Sequence, residues 1–216
     1  ESLEFDTSNC FEPSLILLDE THLAVAYRGV DGDGFIKILE IDSSYQLSEV
    51  ESLEFDTSSC YQPSLILLDE THLAVAYTGP SYGGFIKILE IDGSYQLSVV
   101  KSLEFDTHDG FQSSLILLDE THLAVAYRGT DFDGFIKILE IDGSYQLSVV
   151  ESLEFDIADG REPSLILLDE THLAVAYRGT DSDGFIKILA VDGLYQLSKV
   201  ESLEFDTSTG IEPSLI

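Results

Sequence analysis

An all-β fold of four-stranded antiparallel units set side by side is the class this chain predicts, on three observations. A 50-residue unit is written four times, and 16 residues of a fifth copy follow. ESLEFD stands at Glu1, Glu51, Glu151 and Glu201 and as KSLEFD at Lys101, while SLILLDETHLAVAY begins unchanged at Ser14, Ser64, Ser114 and Ser164. A period of this size marks a repeat architecture, in which each unit buries its apolar face only against its neighbours. Each period also holds four apolar or alternating runs parted by Gly-, Asp- and Ser-rich turns. Finally, no stretch reads as a stable helix.

Within one unit the elements follow in order. Ser14 to Leu18 is a short apolar run, the pattern of a strand buried on both faces. Asp19-Glu20-Thr21 is a tight polar turn. His22 to Tyr27 is a second strand, with small Ala24 and Ala26 allowing close packing. Arg28 to Gly34 is a Gly/Asp-rich hairpin loop. Phe35 to Ile41 is a third strand, β-branched and aromatic. After a turn at Asp42 to Ser44, Tyr45 to Asp56 holds a fourth strand whose polar–apolar alternation marks a half-exposed position. The first strand is therefore expected innermost and most buried, the fourth outermost.

Four such strands per period describe a blade, and the chain is expected to be a β-propeller of at least four blades, a piece of a longer array. Complete blades fall at about 13–56, 63–106, 113–156 and 163–206, with outer-strand copies starting at 1, 51, 101, 151 and 201. A β-solenoid is the alternative, but its coils are shorter and lack hairpins. Five outer strands accompany only four sets of the other three, which leaves one outer strand and the stub Pro213 to Ile216 over. Unpaired strand edges seek partners. More of the same chain, a second copy, or closure of the last blade by residues 1–6 would use them, and self-association is expected.

The charge narrows the partners. Forty-one acidic against 10 basic residues give a formal net charge of −31. Such a field repels nucleic acid and anionic membrane. No apolar run has transmembrane length, so membrane insertion is not expected. Two cysteines, Cys10 and Cys60, do not make a disulfide scaffold, and free thiols are the default for them. The segment carries no signal peptide; an extracellular or cell-surface location is the expectation for a binding protein of this composition.

The copies differ mainly in two loops. One is SNCFE at 8–12 with its equivalents at 58–62, 108–112, 158–162 and 208–212; the other is RGVDGDG at 28–34 with equivalents at 78–84, 128–134 and 178–184. In a four-stranded meander both fall on one face, while the DETH and DGSY turns fall on the other and barely change. Loops on a rigid scaffold are where recognition usually sits. The candidate ligand-binding residues are therefore Phe11, Arg28, Tyr61, Tyr82, Phe111, Arg128, Phe132 and Arg178. Rings beside Arg and Asp suit a carbohydrate, or another cell-surface ligand. The default for the arginines is an ion pair with the loop aspartates.

The D-x-D-G loops are the candidate calcium sites: Asp31 with Asp33, Asp131 with Asp133, Asp181 with Asp183. Oxygen-rich loops with a glycine turn hold calcium, but two carboxylates fall short of the six to eight oxygens it takes. The plainer reading is a hairpin turn needing positive φ. His22, His72, His122 and His172 open second strands, where fixing the turn by hydrogen bonds outweighs a metal ring. Tyr27 and Phe35, with their copies, are expected in the interblade core.

The whole chain looks like a propeller of recently amplified, nearly identical blades. It lacks tryptophan, hence the Trp-Asp signature of WD40 blades, and it lacks the kelch double glycine and the sialidase Asp-box. YRGVDGDGFIKILEI, from Tyr27 to Ile41, resembles hairpins of integrin-like and bacterial lectin-like propellers. That resemblance concerns the fold more than any activity. With nearly every carboxylate present in equivalent copies and no differentiated set of polar groups, the expectation is a non-enzymatic, repetitive binding scaffold, lectin-like or adhesin-like. The alternative is a structural repeat that assembles a ring or filament. No nucleophile motif, phosphate loop or zinc signature points to catalysis.

Overall fold

The computed structural model describes residues 3–7, 9–207, 210 and 212–215. The start of the first outer-strand copy (residues 1 and 2), part of the variable loops (8, 208, 209 and 211) and the end of the stub at 216 lie outside them.

Among the described residues, sixteen strands form four antiparallel sheets, each a simple meander. The first comprises β1 (Phe11–Asp19), β2 (His22–Arg28), β3 (Gly34–Ile41) and β4 (Leu47–Asp56). The second has β5 (Tyr61–Asp69), β6 (His72–Thr78), β7 (Gly84–Ile91) and β8 (Leu97–Asp106). The third has β9 (Phe111–Asp119), β10 (His122–Arg128), β11 (Gly134–Ile141) and β12 (Leu147–Asp156). The fourth has β13 (Arg161–Asp169), β14 (His172–Arg178), β15 (Gly184–Val191) and β16 (Leu197–Asp206). The first strands of successive sheets pack on one another, so β1, β5, β9 and β13 gather on the inner side and the sheets fan outward as propeller blades.

Two expectations need correcting. The inner strand begins at Phe11 rather than Ser14, because a bulge centred on Glu12, at φ 54°, shifts the register between Phe11 and Ser14. The inner strand is also not the most buried. That is the second: every residue of β6 is buried, while in β5 only Pro63 and Leu65 are, and both ends are exposed. A second strand has neighbours along both edges and blades against both faces, whereas a first strand turns one edge to the axis.

Three hydrophobic joints hold the blades together. In the first, Ala24, Ala26, Ile36 and Ile38 of one blade meet Leu65, Leu73, Val75 and Tyr77 of the next. The same residue types repeat in the other two joints. Tyr27, Tyr77, Tyr127 and Tyr177 are fully buried, as expected, with the Phe35 series stacked on them. The hydroxyl of Tyr77 donates to Asp56 at 2.6 Å, and Lys87 Nζ reaches the same carboxylate at 2.9 Å.

The surplus outer strand does not close the last blade. β16 pairs with β15 there, the fourth strand following the third through a short turn. Residues 3–6 lie instead against the first blade, where Tyr27 donates to Asp6 at 2.6 Å and Lys37 Nζ donates to the Phe5 carbonyl.

Candidate functional site

The variable loops meet on one face, as the meander requires. The backbone ties them across each joint: Cys60 N donates to Gly32 O, Gly110 N to Tyr82 O, and Gly160 N to Phe132 O. The approach is tight where glycine stands. A Cβ on Gly110 would lie 2.3 Å from the Gly84 Cα. Cys60 occupies the equivalent place as a buried free thiol, while Cys10 is free and exposed.

The bulge at Glu12 aligns Phe11 opposite Arg28, and in the third blade Phe111 opposite Arg128. In the first and third blades that register, rather than an ion pair, settles where Arg28 and Arg128 go. The Arg28 guanidinium lies 4.7 Å from the ring centres of both Phe11 and Tyr61, and so bridges two blades. Arg128 lies 4.2 Å from Phe111 and 5.1 Å from Phe132, and Arg161 lies 4.5 Å from the same Phe132. Tyr82 joins this ladder from the second blade, its ring 5.5 Å from Phe111. Stacking on aromatic faces suits a planar, weakly hydrated guanidinium. The expectation of Arg–Asp pairs with the D-x-D-G loops therefore fails at Arg28 and Arg128. Arg178 does form an ion pair, but with Glu162 at 3.3 Å. In the second blade Thr78 replaces arginine and its hydroxyl donates to the Gly110 carbonyl at 2.7 Å, sealing that position.

Beside Arg128 is an open cavity of about 360 Å³, lined by Tyr82, Asp109, Phe111, Arg128, Asp131 and Phe132. The Arg128 Nε is buried and has no hydrogen-bond partner among the described residues. Burial, and then the positive charge of Arg161, press its guanidinium down from the ordinary value. Seven of the eight candidate residues thus fall into two stations: Phe11, Arg28 and Tyr61, then Tyr82, Phe111, Arg128 and Phe132. Arg178 stands apart with Glu162. Sequence reading left out Arg161 and Asp109. The signal for Arg161 was present, since it is the single charge in a series otherwise made of Phe11, Tyr61, Phe111 and Ile211.

The D-x-D-G loops behave as turns. Asp31, Asp131 and Asp181 take φ of 57–58°, and so does Ser81, at 56°, in the blade that lacks the motif. Desolvation, together with the neighbouring Asp33 carboxyl, holds the Glu54 carboxyl on β4 above its usual range. Glu154 with Asp133 and Glu204 with Asp183 repeat the arrangement. Among the described residues, no group of three or more His, Cys, Asp and Glu side chains is placed to hold a metal.

On the opposite face the histidines fix the turn, and they also clasp the next blade. The Asp19 carboxylate accepts from Thr21 N at 2.7 Å and from Thr21 Oγ1 at 2.9 Å, and lies 3.1 Å from His22 Nδ1. Tyr95, from the following blade, stacks on His22 at 3.6 Å and donates to Asp19 at 2.7 Å. Tyr145 on His72 and Tyr195 on His122 repeat this clasp. Burial opposes the charges of Asp69 and Asp119, yet these hydrogen bonds hold both down to about 2.

The chain matches no family model and no curated protein. It is similar to solved structures. Over 94% of its length it superposes on 56% of a protein from Lactobacillus plantarum, at 18% identity and a TM-score of 0.68, and so spans little more than half of that protein. Over 91% of its length it superposes on 73% of a periplasmic gluconolactonase from Pseudomonas aeruginosa, at 17% identity and a TM-score of 0.53. At these identities the likeness concerns the propeller-like fold alone.

Proposed function

We propose that this chain is a non-enzymatic, lectin-like binding scaffold whose variable face takes a neutral saccharide at the Arg128 station. One observation supports the reading above the others: Arg128 sits between Phe111 and Phe132 at the edge of a 360 Å³ cavity with a buried Nε that no described residue satisfies. Phe132 and Tyr82 are exposed beside it. Their faces suit the apolar C–H side of a sugar ring, while the guanidinium donates and Asp109 and Asp131 accept from hydroxyls. The two carboxylates and the net charge of −31 weigh against an anionic ligand. The Arg28 station repeats part of this chemistry one joint away, so a polymeric or surface-bound glycan would gain by engaging both. A setting outside the cell or at its surface agrees with such a ligand.

Catalysis is the competing reading, given the name of one similar structure. The proposal of pure binding rests on the site's polar groups: arginines stacked on rings, and aspartates not paired with a nucleophile or a differentiated acid and base. The test is a screen of neutral oligosaccharides followed by calorimetry on the best binder. Arg128→Ala and Phe132→Ala should each weaken binding by about tenfold or more, equivalent to about 1.4 kcal/mol. Unchanged affinity in both variants, or turnover of the bound sugar, would refute the proposal.

A further inference from the structure

The first and fourth blades each leave uncovered one half of the joint that the chain builds three times. On the first blade Leu15 is 60% exposed, whereas its equivalents Leu65, Leu115 and Leu165 are at 4%, 3% and 6%. On the fourth, Phe205 is 52% exposed, whereas Phe55, Phe105 and Phe155 are at 4%, 4% and 0%. The clasp is divided in the same way. Tyr45 is 87% exposed, and His172 is turned on Asp169 at 3.1 Å with no tyrosine stacked on it among the described residues.

We propose that these two faces are halves of one joint, and that a second copy of this chain closes it head to tail. Its Tyr45 then stacks on His172 and donates to Asp169, as Tyr195 does with His122 and Asp119. A second copy is the occupant argued for because the chain already demonstrates the fit. Leu165, Leu173 and Tyr177 pack on the third blade through the same side chains that the first blade carries as Leu15, Leu23 and, beneath residues 3–6, Tyr27.

Two short segments hold these places meanwhile. Phe5 meets Tyr27 edge-on at 5.6 Å, as Phe155 meets Tyr177 at 5.1 Å. Leu215 N donates to Ser164 Oγ at 2.9 Å, as Leu165 N does to Ser114 Oγ at 3.0 Å. Each covers one end of its face and carries the residues of the strand that would replace it, so docking exchanges like for like. A contact with one head and one tail per copy closes into a ring or runs on as a filament. The −31 charge opposes it at low salt, and physiological salt screens that repulsion.

Sedimentation velocity of the 216-residue chain tests this, run over a wide concentration range at physiological salt with circular dichroism to verify folding. The wild type should associate as concentration rises. Leu15→Asp disables every head, and Leu203→Asp, at a β16 side chain 59% exposed, disables every tail, so each variant alone should lose association, and an equimolar mixture should recover a dimer that grows no further. Tyr45→Ala, at a side chain with almost no contacts to lose, should weaken association without moving the melt. A wild type that stays monomeric throughout would overturn the proposal and assign the faces to other blades. Association that survives either Asp substitution, or a mixture that stays monomeric, would equally overturn it.

Discussion

The clasp on the constant face and the arginine ladder on the variable face bridge the same pairs of blades, yet they use their polar groups differently. At the clasp, Asp119 is met by Thr121 N, Thr121 Oγ1, His122 and Tyr195. At the ladder, Arg128 touches two rings and leaves Nε without a hydrogen-bond partner among the described residues. A closed hydrogen-bond set makes a joint, whereas a guanidinium held by ring faces keeps donors to offer.

The largest expected effect breaks the clasp. Asp119→Ala removes a carboxylate bonded to two blades and should cost about 2 kcal/mol, lowering Tm by roughly 5 °C in a thermal melt. Arg128→Ala loses only stacking and should cost less than about 1 kcal/mol. Equal losses in the two variants would erase the distinction.

Acid should expose the same contrast. Asp69 and Asp119 are held down to about 2, below the unfolded value of about 3.9. Their contribution is therefore fully present above pH about 4 and is lost as pH falls toward 2. Glu54, Glu154 and Glu204 have the opposite sign: their folded values are raised, so what they contribute is present at lower pH and lost as pH rises through those values. Melts from pH 7 down to 2 should show a steep loss below 4 in the wild type. In Asp69→Asn the loss should be shallower. A curve identical to the wild type would show that the clasp carries no charge-linked stability.

Most of the fold was legible from residues alone. The 50-residue period, the four runs per period and the face on which the loops gather all follow from patterns that local physics imposes. Burial order was not, because Ser14 to Leu18 reads as the most apolar run while position in the sheet, rather than hydropathy, buries Ala24 and Ala26. The arginine partners were hidden for a different reason. Aspartates are abundant nearby in the chain, but the bulge at Glu12 turns Arg28 toward Phe11, and no residue type announces a bulge. The clasp joins groups 76 positions apart, so no local motif contains it; only the recurrence of His22 and Tyr45 in every copy hinted at a shared task.

The smallest expected effect concerns calcium. Because Asp31 serves the turn and, among the described residues, no three acidic, His or Cys side chains gather to hold a metal, millimolar calcium should leave the melt unchanged. A rise that disappears in Asp33→Asn would restore the D-x-D-G loops as ion sites.

The division of labour between the two faces is tested most directly by NMR of the chain with labelled Tyr and Phe rings, titrated with the best neutral oligosaccharide from the screen. Shifts are expected at Tyr82, Phe111 and Phe132, with Tyr95, Tyr145 and Tyr195 unmoved. Shifts centred on the clasp tyrosines, with the ladder rings silent, would contradict that division.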